Sequence, residues 1–204
     1  DRSSSAGSRR AARAVELPEE EAIERVQAGR RIACVLSRER GALSAAARRR
    51  HYRRLREAFA AAPVVVTLDY RIVRLDEGFA RIGIRNRPEL RQERGRLHGA
   101  LLGLLADAAG AYAVLTLVPG GEVLTIEFKI NFLTGAVGKR VFADARVVRL
   151  GKTVAVTEMD VWCGPGEKVA VGLGTYRVFS PDGQEGSAAP ERAGSAGART
   201  KKEK

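Results

Sequence analysis

Cysteine is scarce in this sequence: Cys34 and Cys163 are the only two among 204 residues. They lie in different segments, which excludes a disulfide framework and a cysteine-based metal site, and no metal ligand set is expected. Such usage is typical of a reducing compartment. Long apolar runs are also lacking, since none reaches about 18 residues, so no segment is predicted to span a membrane.

Acidic residues are few relative to basic ones, at 24 Asp and Glu against 36 Lys and Arg, for a net charge of +12. The first 62 residues hold 15 basic and eight acidic side chains and therefore carry +7 of that charge. A basic segment fits an anionic partner such as nucleic acid, anionic lipid or a phosphate-bearing small molecule. The plainer interpretation, a solvated arginine-rich face, is favoured.

The first 15 residues are predicted to be disordered. Their Ser, Ala and Arg content is typical of organelle transit peptides, but the acidic run Glu19–Glu21 that follows is not. We therefore expect a cytoplasmic protein, with an organelle matrix as the alternative if these residues are the remnant of a transit peptide.

Two helices are predicted ahead of the first strand. One covers Pro18–Gly41, and the second covers Ser44–Ala62 with the serine as its cap. The second helix is crowded with arginines over Arg48–Arg56, and its apolar seam is narrow. The seam consists of Tyr52, Leu55 and Phe59. The pair is expected to pack either on the following domain or on a partner.

After Pro63 the apolar period changes to two, which predicts strands. The first two strands are expected at Val64–Leu75 and Phe79–Arg85, followed by a polar loop over Asn86–Arg94. Four more strands are expected at Val123–Phe132, Arg140–Leu150, Thr153–Trp162 and Lys168–Phe179. The links between the last three are short enough to force antiparallel hairpins.

The strand Val123–Phe132 alternates almost perfectly between apolar and polar residues. One face is predicted to carry Leu124, Ile126, Phe128, Ile130 and Phe132. The other face is predicted to carry Thr125, Glu127, Lys129 and Asn131.

A long apolar helix is predicted between the two groups of strands, over Gly95–Thr116. Its apolar residues recur at the three- and four-residue steps of one helical face. They are Leu97, Leu101, Leu104, Leu105, Ala108, Ala109, Tyr112 and Ala113. One acid, Asp107, lies within this stretch, where an unpartnered carboxylate would cost several kcal/mol. Its presence there is therefore not accidental, and composition alone leaves a structural role and a functional role as equal alternatives.

The order strand, strand, long helix, four strands predicts an α+β domain. In such a domain a single antiparallel sheet of about six strands would wrap the helix. The tail that follows the last strand is rich in Gly, Ser, Ala and Lys, and it is expected to be disordered.

Six phrases in this order resemble the PaaI-like (phenylacetic acid degradation) family of hotdog-fold acyl-CoA thioesterases. They are Pro88–Gln92, Gly95–Gly99, Asp107 nine residues after the histidine, Gly110–Ala113, Leu124–Leu133 and Val147–Thr153. The resemblance implies a hotdog domain over 54–179, with an Arg/Ala-rich helical extension over 1–53 and a disordered tail over 180–204. The sequence departs from the family at Ala100, where a second glycine is common, and at Gln92, where many members have Asn.

Thioester hydrolysis needs a group that polarises the carbonyl and a base or nucleophile for its carbon. Gly99, near the predicted helix start, offers an N–H without an intrahelical partner, at the positive end of the helix dipole. Asp107 could deprotonate water, or attack directly to give an anhydride. The resemblance assigns Asp107 the role of base or nucleophile without deciding between them. Acyl-CoA is then the substrate, and no separate cofactor is expected.

Gly99 and Asp107 are eight residues apart in the sequence, which is about 12 Å along one helix, so one thioester carbon cannot touch both. If two copies pair about a two-fold axis with antiparallel helices, Gly99 of one copy meets Asp107 of the other. A homodimer, or a tetramer built from it, is therefore expected, and the resemblance implies the same.

The other candidates have supporting roles. His98 is expected to cap the helix or fix the loop, and the resemblance places it beside the thioester; Gln92 is a catalytic candidate by resemblance. Thr125 is expected to hold the attacking water, with an ordinary cross-strand hydroxyl as the alternative. The resemblance also implies a region near the nucleotide and phosphates of coenzyme A, for which solvated turn charges are the alternative. That region contains Arg149, Gly151 and Lys152.

A competing hypothesis is a non-catalytic module that binds acyl-CoA or nucleic acid through the basic N-terminal helix. Tyr52 and Phe59 are the aromatic residues interleaved with its arginines, and both lie on the apolar seam. Base stacking is therefore poorly supported, and nucleic acid is not the expected partner.

Overall fold

The computed structural model describes residues 43–164 and 166–181. Its helices and strands, in chain order, are α1 (Ala45–Ala61), α2 (Pro63–Leu68), β1 (Tyr70–Asp76), β2 (Phe79–Arg85), α3 (Gly99–Leu115), β3 (Glu122–Phe132), β4 (Arg140–Leu150), β5 (Val154–Cys163) and β6 (Glu167–Phe179). The predicted disordered start over 1–15, the helix Pro18–Gly41, Cys34 and residues 182–204 of the predicted tail lie outside the described residues. Within the described part of the chain, no helix is both long and apolar enough to cross a membrane.

The six strands form one antiparallel sheet in the order β1-β2-β4-β5-β6-β3. Helix α3 packs against all six strands, so the sheet wraps around it. This arrangement confirms the predicted α+β class and the hotdog fold. Strands β1 and β3 lie at the two edges of the sheet, although β3 is in the middle of the strand sequence.

Helix α3 begins later than predicted and buries a different stripe. Gly95 has a positive φ of 75° and His98 is extended, so the first helical residue is Gly99. The sheet covers a stripe rich in small residues, which lets the helix approach the strands closely. It comprises Leu102, Gly103, Leu105, Ala106, Ala109, Gly110, Ala113 and Val114. Several members of the predicted stripe are only partly buried, namely Leu101, Leu104, Ala108 and Tyr112.

The prediction of a strand over Val64–Leu75 is wrong in its first half. The valines form the short helix α2, with Pro63 at its first position, where proline is favoured. Asp69 then adopts the left-handed conformation, at φ 51° and ψ 51°, and turns the chain into β1. Val65 is buried in the core, so tertiary packing overrides the strand propensity of the β-branched residues.

Helix α1, the second of the two predicted N-terminal helices, packs on the domain. Phe59 is buried and makes edge-to-face contacts with Tyr70 and Tyr112, at centroid distances of 5.2 and 4.9 Å. The Arg56 guanidinium donates to the Ile72 carbonyl at 3.0 Å. These contacts hold α1 beside the C-terminal half of α3.

Candidate active site

The N-terminus of α3 is capped by His98. Its Nδ1 accepts a hydrogen bond from the Ala100 N–H at 3.1 Å, and its own N–H donates to the Leu90 carbonyl at 2.9 Å. Because Nδ1 accepts this bond, the ring proton lies on Nε2. The exposed Nε2–H of His98 is therefore the ring group that can donate to a ligand.

The Gly99 N–H has no hydrogen-bond partner among the residues that the structure describes. A Cβ at this position would lie 3.7 Å from the Phe132 ring, which is an ordinary contact, and the backbone does not have a positive φ. Neither packing nor conformation therefore requires glycine here. The free donor at the positive end of the helix is suited to an oxyanion.

Gln92 and Gly99 line one cleft with a volume of about 310 Å³. The loop that carries Gln92 is held by a buried residue, Asn86, which accepts from Arg91 Nε at 3.0 Å and donates to the Gly138 carbonyl at 2.9 Å. The sequence reasoning missed this support. The sequence pattern that could have indicated it is a polar residue directly after a strand, followed by an arginine in the segment Pro88–Gln92.

Asp107 is half-buried at the side of α3 that faces the edge strand β3. The Thr125 hydroxyl donates to Asp107 Oδ1 at 2.8 Å, and the Tyr176 hydroxyl donates to the Asp107 backbone carbonyl at 3.3 Å. Burial raises the pKa of the Asp107 carboxyl, and the bond from Thr125 opposes that shift. The carboxylate is thus oriented but still accessible.

A β-bulge between Thr125 and Glu127 brings Thr125 to this site. The prediction that Thr125 lies on the opposite face of β3 from Phe128 and Phe132 is wrong, because the extra residue moves Thr125 to their face. The rings of these two phenylalanines lie over α3, at contact distance from where side chains at Gly99 and Gly103 would start. Tyr176 pairs with Thr125 in the sheet, which aligns both hydroxyls with Asp107.

The predicted site residues form two groups within one subunit. Gln92, His98 and Gly99 lie at the start of α3, whereas Asp107 and Thr125 lie two turns further along, about 12 Å away. The structure does not bring the two groups together within a single chain.

The residues predicted to bind coenzyme A lie at the turn between β4 and β5. Arg149 and Lys152 are exposed there, and the Gly151 N–H donates to the Val154 carbonyl at 2.7 Å. Val154 pairs with Arg177, the neighbour of Tyr176, so this turn lies toward the Asp107 end of the sheet. The turn does not line the cleft that contains Gly99.

No group of three or more His, Cys, Asp or Glu side chains is placed to hold a metal ion within residues 43–164 and 166–181.

Comparison with known proteins places the chain among thioesterases. A model of the thioesterase superfamily matches residues 94–170. A putative esterase of Halobacterium salinarum is 39% identical over 98 residues, which cover 43% of this chain and 64% of that protein. A putative esterase of Saccharolobus solfataricus is 31% identical over 112 residues, which cover 55% of this chain and 75% of that protein.

Two solved structures are similar over most of the described domain. A thioesterase family protein from Silicibacter pomeroyi is 31% identical with a TM-score of 0.61, covering 64% of this chain and 98% of that chain. The PaaI protein of Escherichia coli, from the phenylacetic acid degradation operon, is 23% identical with a TM-score of 0.59, covering 64% and 94%. The second likeness is one of fold.

Proposed function

Because this chain belongs to the thioesterase superfamily and has the hotdog fold, we propose that it hydrolyses acyl-CoA thioesters to a free acid and coenzyme A. One observation carries this proposal. The half-buried Asp107 carboxylate, oriented by Thr125, lies on the same helix that begins with the unpartnered Gly99 N–H. These are the two groups that acyl transfer from a thioester needs.

In the proposed reaction the thioester oxygen accepts a hydrogen bond from the Gly99 N–H, where the helix dipole stabilises the developing negative charge. Asp107 takes a proton from water while the water oxygen attacks the carbonyl carbon. The carbon–sulfur bond then breaks and the coenzyme A thiolate leaves. In the alternative, the Asp107 carboxylate attacks directly, and water hydrolyses the resulting anhydride.

The remaining polar groups orient the substrate in this proposal. The Gln92 side chain lines the same cleft as Gly99, and the Nε2–H of His98 is a second donor near the helix start. Arg149 and Lys152 are proposed to bind the phosphates of coenzyme A. Their exposure, and their position toward the Asp107 end of the sheet, support this assignment.

The proposed active site needs two copies of the chain. Strand β3 pairs only with β6 in the described part of the protein, so its other edge is open. Leu124, Ile126 and Phe132 on this strand are 61%, 57% and 55% exposed, which is unusual for large apolar side chains on one strand. A homodimer, alone or within a tetramer, would cover them.

Antiparallel pairing of two β3 strands about a two-fold axis also completes the chemistry. Thr125 and Asp107 lie toward one end of β3, and Phe132 and Gly99 lie at the other. In such a pair the first end of one strand lies beside the second end of its partner. Asp107 of one subunit would then face Gly99 of the other.

The test of the proposed function is thiol release from short, medium, long and aryl acyl-CoAs by the purified protein. The wild type should release thiol from at least one class, and Asp107→Ala and Asp107→Asn should abolish release while the dimer persists in size-exclusion chromatography. No release from any acyl-CoA by the wild type would contradict the proposal.

The Asp107→Asn variant also has a stability control. Burial raises the pKa of Asp107 above its unfolded value, so ionisation penalises the folded state at pH values above the folded pKa. At neutral pH this variant should therefore unfold at a temperature no lower than the wild type. A large drop in the unfolding temperature would attribute its loss of activity to misfolding instead.

The alternative of a nucleic-acid-binding module gains no support from α1. Phe59 is buried against the domain and Tyr52 is half-buried, so neither ring is free to stack on bases. Salt-sensitive binding of a random oligonucleotide, together with an absence of thiol release, would favour that alternative.

A further inference from the structure

The cleft that contains Gln92 and Gly99 includes a charged residue that the proposed reaction does not use. Among the described residues that line the cleft, Arg96 is the charged one, and no acidic side chain is present. The other walls are mostly apolar. They include Leu97, Leu102, Phe132, Leu133 and Ala136.

The Arg96 side chain lies directly against Gly135, another residue that lines the cleft. A Cβ at Gly135 would collide with Cδ and Nε of the Arg96 side chain. The missing side chain at position 135 therefore makes room for the arginine.

Arg96 is exposed and has no ion-pair partner within residues 43–164 and 166–181, so its guanidinium is available to a ligand. A guanidinium without a partner, next to apolar walls, fits an anion that is attached to an apolar chain. The planar guanidinium can bind two oxygens of a carboxylate or of a phosphate, and of these two anions the carboxylate is the one that can end an acyl chain.

The size and place of the cleft indicate which part of a thioester would carry this anion. Its volume of about 310 Å³ is at the lower end of the range for ligand pockets, which suits a short acyl chain rather than the whole of coenzyme A. Gly99 places the reacting carbonyl at the cleft wall, and the positions proposed for the coenzyme A phosphates lie outside it. The cleft is therefore left for the acyl group.

We propose that this cleft binds acyl groups that end in a carboxylate, and that Arg96 selects them. The enzyme would then prefer thioesters of dicarboxylic acids to those of monocarboxylic acids of equal length. This inference rests on the proposed thioesterase function and names the substrate class of the same site.

The test compares hexanoyl-CoA with adipyl-CoA, which have the same number of acyl carbons and differ in the terminal carboxylate. The wild type should have the higher kcat/KM for adipyl-CoA. Arg96→Met keeps much of the length of the side chain but removes its charge. It should lower kcat/KM for adipyl-CoA about tenfold or more, as expected for the loss of one charge-assisted hydrogen bond. For hexanoyl-CoA, kcat/KM should stay within about twofold of the wild-type value.

Two further variants make the test specific to the guanidinium. Arg94→Met removes an exposed arginine of the same loop that does not line the cleft, and it should leave the preference unchanged. Gly135→Ala should displace Arg96 and reduce the preference in the same direction as Arg96→Met. Thermal unfolding of each variant checks that the fold is retained.

Two results would overturn the inference while leaving the proposed function intact. One is a wild-type preference for hexanoyl-CoA. The other is an equal loss on both substrates in Arg96→Met, which would place Arg96 against the shared coenzyme A portion. Absence of thiol release from every acyl-CoA would instead overturn the proposed function and this inference with it.

Discussion

At the scale of single residues, Gly99 allows the role of its N–H in the reaction to be tested apart from its role in the helix. It is the first residue of α3, where proline is favoured because the N–H has no intrahelical partner. His98 before it is extended at φ −61° and ψ 133°, a conformation compatible with a following proline. Gly99→Pro therefore removes the N–H while it preserves the helix.

We expect Gly99→Pro to lower kcat by about a hundredfold to a thousandfold, the usual cost of losing one oxyanion donor. Gly99→Ala is the matched control, since it keeps the N–H and its Cβ would make an ordinary contact with Phe132. It should lose much less activity than the proline variant. If alanine were as damaging as proline, the absent side chain rather than the N–H would be the important property.

Burial raises the pKa of Asp107, and the hydrogen bond from Thr125 partly offsets that rise. The Thr125 hydroxyl donates to the carboxylate and stabilises its ionised form. Thr125→Val should raise that pKa further, so the acidic limb of the kcat/KM profile should move to higher pH. Thr125→Ser keeps the hydroxyl and should leave the limb in place. An unchanged limb in the valine variant would contradict this assignment.

At the scale of elements, the start of α3 and the bulge in β3 decide the geometry of the site. The bulge lets one edge strand present Thr125, Phe128 and Phe132 to the helix together, which an unbroken alternation would forbid. The His98 cap fixes where the helix begins and therefore which N–H remains free.

The capping role of His98 can be tested with a second capping residue. His98→Ala should destabilise the protein by about 1 kcal/mol, the typical cost of a lost cap, which lowers Tm by about 2–4 °C for a chain of this size. His98→Asn can accept the same bond from Ala100 and should restore stability, but it lacks the Nε2–H that is proposed to orient the substrate and should hydrolyse the thioester more slowly than the wild type. A stable but inactive asparagine variant would show that the imidazole contacts the thioester.

At the scale of the whole molecule, the proposal that two subunits share the active site predicts complementation between inactive variants. In a mixed dimer of Asp107→Asn and Gly99→Pro, one site would combine the intact Gly99 of one subunit with the intact Asp107 of the other. Random assortment makes half of the dimers mixed, each with one active site, so co-refolded samples should regain about a quarter of wild-type activity. Parent variants refolded alone are the control.

A mixed sample no more active than its parents would contradict a site shared between subunits. Size-exclusion chromatography of the same sample would confirm that dimers had formed. With dimers present and no recovery, Gly99 and Asp107 would have to act within one chain or not act together.

Local sequence patterns were sufficient to predict the fold class, most of the element types and most of the candidate residues. The period of apolar residues is a local property, so it identified α3 and all six strands, and the order of those elements indicated one sheet around one helix. An isolated acid such as Asp107 in an apolar helix is also visible without a structure. The segment around His98 and Gly99 also indicated the family that the chain resembles.

The contacts between these elements depend on the three-dimensional packing of the chain. The edge position of β3, the helical conformation of the segment after Pro63 and the close approach of Tyr176 to Gly110 all depend on contacts between distant residues. The bulge that moves Thr125 to Asp107 depends on pairing with β6, which no local pattern encodes. The apolar period indicates which residues are buried, whereas strand pairing and close packing determine which of them are in contact.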